Sequence, residues 1–333
     1  FFDVGPFGVV HGHEAKLAIE VVSYGRSLVE DLGIHTYGRD PRDEAWTKFF
    51  SETSGHNTVL VDSKGQMRKV VGPRTVDKPL SYPWQSSHTC DYLVGEYEGG
   101  YGPSAMITPQ FAHHNSHHRK TTVVDTSVVH RRSVIFVKAR QVHNPEYWIV
   151  TDWLIGRGDH SCEQLFHLIP TSVSIDEVTR TVRTTSPGSA LAFLPVEKVE
   201  LNVVEGRPEP NIQGWYCGTG GDGRPVPAPC IIFSRSGALP TMIQTVLWPM
   251  RSESNELPQV ETLARKDSGW VKVTLPDGSV DLYCSPMKPG WYEDDGISFE
   301  GTACLVRLDA QGLHSWELLQ GTSLVYKGES LAG

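Results

Sequence analysis

The sequence predicts an all-β protein built from stacked antiparallel sheets. Three observations carry that reading. Short runs rich in Val, Ile, Phe and Trp recur from about residue 123 to the end, separated by Gly, Pro and Asp turns. Helical spacing of apolar residues is clear only in one short stretch near residues 40–50. Glycine and proline, 32 and 22 among 333 residues, supply the breaks that many short strands need.

Taken in order, Gly8-Val9-Val10-His11-Gly12-His13 reads as a strand. Residues i and i+2 of a strand face the same side, so His11 and His13 are expected to project into one site. Leu17, Ile19 and Val21 alternate with Ala18, Glu20 and Val22, ahead of a Tyr24-Gly25-Arg26 turn. The helix follows: Asp40 can cap it, Pro41 suits its first position, and Asp43 and Glu44 favour its positive end. Trp46, Phe49 and Phe50 then fall on one face, which is expected to pack onto a sheet.

Ser54-Gly55-His56-Asn57-Thr58-Val59-Leu60-Val61-Asp62 brings a third histidine. Val134-Ile135-Phe136-Val137 and Trp148-Ile149-Val150 are nearly continuous apolar runs, as expected of strands covered on both faces. Residues 205–230 are rich in Gly and Pro and read as a long loop or a boundary. Beyond them Val271, Val273 and Leu275 alternate with polar residues, and Pro276-Asp277-Gly278 turns the chain into Val280-Asp281-Leu282, a hairpin. Further turns are expected near Glu300-Gly301 and Gln311-Gly312. The pattern divides into a main sandwich over 1–230 and a smaller C-terminal β-sheet domain over 231–333.

Composition bounds the function. A net charge of −9 argues against nucleic acid, whose phosphates need a basic face. It leaves an acidic polysaccharide open, since local basic clusters can sit on an acidic protein. No apolar run approaches the roughly 20 residues of a membrane-spanning helix. The six cysteines are scattered, with no C-x-x-C pair. Neither a zinc knuckle nor a dense disulfide framework is indicated, and most are expected to be buried thiols.

The residues that carry chemistry also carry a resemblance. His11-Gly12-His13-Glu14-Ala15-Lys16-Leu17, Tyr24-Gly25-Arg26-Ser27-Leu28, Asp31 ahead of Gly33, Tyr37, and His56-Asn57-Thr58-Val59-Leu60-Val61-Asp62 occur in that order. More loosely, His130-Arg131-Arg132, Thr151-Asp152, Phe166-His167-Leu168 and Asp295-Gly296 continue the pattern. Together they resemble the C-terminal half of the heparinase II/III-like polysaccharide lyases, which include alginate lyases. The resemblance implies a large multi-sheet, supersandwich-like β-sandwich. It also implies an upstream α/α toroid domain, as part of the same protein or as a separate chain. The start on Phe-Phe-Asp, within the motif-rich segment, fits an expectation that such a domain has been removed.

The implied chemistry is β-elimination on a uronic-acid polymer such as alginate or a glycosaminoglycan. A proton leaves C5 and the C4–oxygen link breaks, which needs a base, an acid and neutralisation of the sugar carboxylate. By the resemblance, His13, Asp31 and His56 would hold zinc in a structural role near the active site. His11 would act as base or contact the carboxylate, and Tyr37 would handle a proton. Two departures stand out: Ala15 replaces the usual Asp, and Leu32-Gly33-Ile34-His35 replaces a Pro-Gly-Thr stretch. The alternative is a non-catalytic carbohydrate-binding or structural β-subunit. A glycosidase would need two carboxylates straddling the bond, and no pair stands out.

Other histidines read differently. His113, His114, His117 and His118 are expected in a solvated loop; His88 is a weaker cleft candidate. His130 and His167, in strand sequence, are expected to be buried and hydrogen-bonded. The family favours a periplasmic or secreted enzyme, a cytoplasmic one being compatible. The oligomeric state, including a homo-oligomer, stays open.

Overall fold

The computed structural model describes residues 1–5, 13–36, 43–67, 84–102, 124–140, 145–185, 188–218, 223–251, 256–263 and 268–332. His11, Tyr37, the 113–118 histidines, Asp40 and Pro41 lie outside these residues. Three antiparallel sheets stack in layers. The inner sheet has four strands, in the order Glu200–Val204, Cys230–Ala238, Asp159–His167 and Val59–Val61. The central sheet has eight, with Ala190–Pro195, Thr241–Met250, Tyr147–Ile155, Val129–Val137 and Cys90–Tyr97 as consecutive neighbours. The outer sheet has seven, built around Trp270–Thr274, Val280–Cys284, Ile297–Asp309 and Gly312–Tyr326.

The strands explain their own sequences. Along Val129–Val137, Val134 packs toward the inner sheet while Ile135 and Val137 pack toward the outer one. Both faces of the central sheet are therefore covered, and a two-faced strand needs apolar residues at consecutive positions. Phe166, Phe193 and Phe233 meet between inner and central sheets, with ring centroids 5.1 and 6.3 Å apart. Tyr147, Trp248, Val271, Tyr283 and Leu305 fill the gap between central and outer sheets.

Several expectations shift. Cys230–Ala238 pairs with Asp159–His167, and Thr241–Met250 pairs with Tyr147–Ile155, so the main sheets run past residue 230. The outer sheet begins only at Gln259. The change of sheet thus falls after Met250. The Pro276-Asp277-Gly278 hairpin forms as expected, closed by Leu275 N–H donating to Ser279 O at 2.8 Å. Glu300-Gly301 is not a turn but an irregularity inside a long strand; a Cβ on Gly301 would lie 2.1 Å from Gln320 O. The reversal comes earlier, at Asp295 and Gly296, whose φ angles are 46° and 75°. The helix is Glu44–Ser51. Its Phe49 and Phe50 pack against Leu32 and Cys217 rather than on one of the large sheets, and Trp46 meets Trp215 edge-on at 5.0 Å. Among the described residues, no helix is long and apolar enough to cross a membrane.

Candidate functional site

The site gathers where irregular segments meet one edge of the inner sheet. His13 does not lie on a strand. Leu17 has φ 63°, which breaks any ladder there, and side chains take over: Lys16 N–H donates to Gln66 Oε1 at 2.8 Å, while Thr58 Oγ1 donates to Lys16 O at 2.8 Å. Leu17, Ile19 and Val21 still point inward, as their alternation predicts. Asp31 sits where Leu32 O receives the amides of Cys217 and Gly218, at 3.0 and 3.2 Å. Gly33 is needed for that approach: its φ is 81°, and a Cβ would lie 2.2 Å from Gly218 O.

These segments bring His13, Asp31 and His56 together. One ligand-type atom from each lies within 4.8 Å of the others. His56 Nδ1 is 2.9 Å from Asp31 Oδ2, and the His13 and His56 rings are 5.1 Å apart. Asp31 Oδ1 accepts the Gly33 amide at 2.9 Å. Burial pushes the Asp31 carboxyl up, but the His56 hydrogen bond and charge, the Gly33 amide and His13 outweigh it and hold its pKa at about 2. Asp31 is therefore an anion facing two imidazoles. His56 Nε2 is buried and has no hydrogen-bond partner.

Beneath the triad lies a buried polar frame. Asn57 Nδ2 donates to the carbonyls of Ile19 and Glu30 at 3.0 and 3.1 Å, and its Oδ1 accepts the His167 amide at 2.6 Å. Arg132 donates to Asp152 through Nε and Nη2, at 2.6 and 2.7 Å. Its Nη1 reaches the carbonyls of Leu17 and Asn57, at 2.7 and 2.6 Å. His130 Nε2 closes on Asp152 Oδ1 at 2.7 Å. His130 and His167 are thus buried and bonded, as expected; burial, with the nearby His56, lowers the His167 pKa to about 3 and keeps it neutral.

A family model, heparinase II/III-like, C-terminal, matches residues 1–243. The chain belongs to this family. Solved structures agree on the fold. Heparan sulfate lyase HepC from Pedobacter heparinus superposes with TM-score 0.61 at 17% identity, over 86% of this chain and 39% of that one. A heparinase III gene product gives TM-score 0.62 at 17% identity, over 86% and 38%, and another heparinase III structure gives 0.57 at 14%, over 82% and 36%. This heparinase II/III-like chain thus spans about two-fifths of the length of those enzymes. No curated protein matches it.

Of the expected site residues, His13, Asp31 and His56 converge, whereas His11 and Tyr37 fall outside the described residues. His88 is exposed in the turn before Cys90–Tyr97, whereas Gly95, at the other end of that strand, abuts Leu17. Sequence reading missed Tyr216, which is hydrogen-bonded to Glu30; burial and the charges of Glu30 and Asp31 push its phenol up to about 12. Its signal was the Trp215-Tyr216 pair inside a Gly- and Pro-rich stretch. The supporting role of Arg132 had no local signal, because its partners lie far away in sequence.

Proposed function

We propose that this chain is the β-sheet part of a polysaccharide lyase that cleaves a uronic-acid polymer by β-elimination. The observation that carries the reading is the convergence of His13, Asp31 and His56 from three separate segments of a heparinase II/III-like chain. Two imidazoles and an ionised carboxylate are a donor set suited to zinc, and His56 Nδ1, 2.9 Å from Asp31 Oδ2, is the ring nitrogen placed to share an ion with that carboxylate. Bound there, zinc would neutralise Asp31 and fix both rings, which makes its part structural.

The chemistry belongs to groups beside that centre. His11, two residues before His13, takes the C5 proton or contacts the sugar carboxylate. Tyr37, six residues after Asp31, handles the proton of the leaving oxygen. An upstream helical domain supplies the groups that neutralise the sugar carboxylate and completes the cleft. Alginate and glycosaminoglycans are the substrate classes in view; the structural neighbours described as heparan sulfate lyases favour testing the latter first.

The test is near-ultraviolet absorbance of the unsaturated uronate that elimination forms. The chain, with and without an upstream helical half, is mixed with alginate, heparan sulfate, hyaluronan and chondroitin. A rise that His11→Ala abolishes while metal content stays at the wild-type level supports the reading. Ala15, where a second carboxylate is usual, favours one other reading, a binding subunit without turnover. Polymer binding with no absorbance change in any combination would establish it.

A further inference from the structure

The strand Val59–Val61 leaves the triad at one end and finishes on Asp62 at the other. Asp62 closes the motif that begins at His56, yet it takes no part in the triad. It has its own partners. Among the described residues, one further group has three donors at metal-ligand spacing: Asp62, Asp125 and His160, all within 4.8 Å of one another.

The three side chains come from separate parts of the fold. Asp62 follows the inner-sheet edge strand, His160 is the second residue of Asp159–His167, and Asp125 exchanges two 2.8 Å backbone bonds with Tyr101 ahead of Val129–Val137. His160 Nδ1 faces Asp62 Oδ2 at 2.9 Å, while its Nε2 lies 3.2 Å from the Arg157 carbonyl. A ligating imidazole is wired that way: one nitrogen toward the ion, the other N–H on a carbonyl that fixes the ring. Asp62 Oδ1 accepts the Ser161 amide at 3.0 Å. Asp125 Oδ1 accepts the Ser127 amide and hydroxyl at 2.8 and 2.5 Å. The first cluster shares the carboxylate half of this arrangement, with His56 Nδ1 at 2.9 Å from Asp31 and the second Asp31 oxygen on a backbone amide, while its His56 Nε2 meets no carbonyl.

We propose that Asp62, Asp125 and His160 form a second divalent-cation site. One imidazole nitrogen among two carboxylates suits manganese or zinc better than calcium, whose ligands are oxygens. The His160 imidazole is nine-tenths buried and Asp62 is a third exposed, so an ion would be reachable from solvent. Its effect would be to tie the inner sheet to the segment leading into the central sheet, stabilising the native state by mass action. This assignment stands independently of the reading of the triad. The competing arrangement is an ion cluster in which a His160 imidazolium, with Lys64 nearby, balances the two aspartates without a metal.

The experiment is metal analysis of the full chain, stripped with chelator and dialysed against zinc or manganese. The expected result is two equivalents in the wild type, one in Asp125→Ala, one in His56→Ala and none in the double variant. Asp125→Asn, which keeps an oxygen for the Ser127 bonds, replaces the alanine variant if that misfolds, and should bind the second equivalent at least tenfold more weakly. Melting of each variant in metal-free buffer reports folding separately. Unchanged stoichiometry in both Asp125 variants would overturn the proposal. So would a single wild-type equivalent that His56→Ala removes.

Discussion

The His56 ring is fully buried, one nitrogen on the carboxylate of Asp31 and the other without a partner. Such an atom costs about 1–3 kcal/mol unless a water satisfies it, whereas Nδ1 is the nitrogen placed to share an ion with Asp31. Asp31→Asn keeps an acceptor for the Gly33 amide but removes the negative charge between two imidazoles. Zinc affinity by chelator competition should fall on the order of a hundredfold or more, beyond the 10–100-fold typical of supporting residues. Unchanged affinity would remove Asp31 from the ligand set. A second residue sets a pH dependence. The carboxyl of Glu197 is raised from 4.5 to about 7, by burial against the opposing effects of the Gln244 amide and Arg235. An acid raised on folding holds its proton in the native state while the unfolded chain has lost it. Stability from this group is therefore full below pH ~4.5 and falls by about 3 kcal/mol as pH rises to ~7. Urea melts across that range should show the fall in the wild type and a flatter profile in Glu197→Gln. The convergence of His13, Asp31 and His56 was legible because each residue sits in a recognisable local pattern. Glu197 was not, since nothing in Pro195-Val196-Glu197 announces burial of the carboxyl.

Elements were legible where one local rule decides them. The Asp277-Gly278 hairpin follows from turn chemistry: Gly278 has φ 83°, and Asp277 Oδ1 accepts the Ser279 amide at 2.9 Å. Gly301 misled for the opposite reason. A glycine inside a strand can serve close backbone approach as well as a turn, and only the neighbouring strand, with Gln320 O, decides which. The strand read at Gly8–Gly12 lies outside the described residues; from His13 to Glu20 the chain is irregular apart from a bridge at Ile19, with Leu17 in a left-handed conformation and the Gln66 side chain on Lys16. Gly33 is the element-scale position on which the site depends. Gly33→Ala would place a methyl on Gly218 O and force a left-handed backbone, costing about 1–3 kcal/mol from the conformation alone. It should lower the melting temperature and weaken metal binding together. Gly278→Ala, at a similar φ with nothing within 4 Å of its Cβ, should cost stability with no change in metal affinity. Metal affinity unaltered in Gly33→Ala would separate the site from this loop contact.

At the scale of the whole molecule, two buried ionic networks fasten the three layers. Between inner and central sheets, Asp152 takes Arg132, His130 and the Gln164 amide, the last at 2.7 Å. Between central and outer sheets, Asp281 takes Arg307 at 3.0 Å, the Tyr147 hydroxyl at 2.6 Å, and Arg140. Both are enclosed, so removing one member strands an opposite charge, at about 3–5 kcal/mol. They differ in what lies beyond. Arg132 spends its remaining donors on Leu17 O and Asn57 O, the segments that carry His13 and His56, whereas Arg307 Nη1 ends on Lys138 O, just past the central-sheet strand Val129–Val137. Arg132→Met and Asp281→Asn should therefore destabilise the fold comparably in urea melts. Only Arg132→Met should also weaken zinc binding, by about 10–100-fold. Equal metal affinity in the two variants would mean that the central sheet carries the site without tuning it. A selective loss would show that the Arg132–Asp152 pair, deep between two sheets, sets the geometry of a site at their edge.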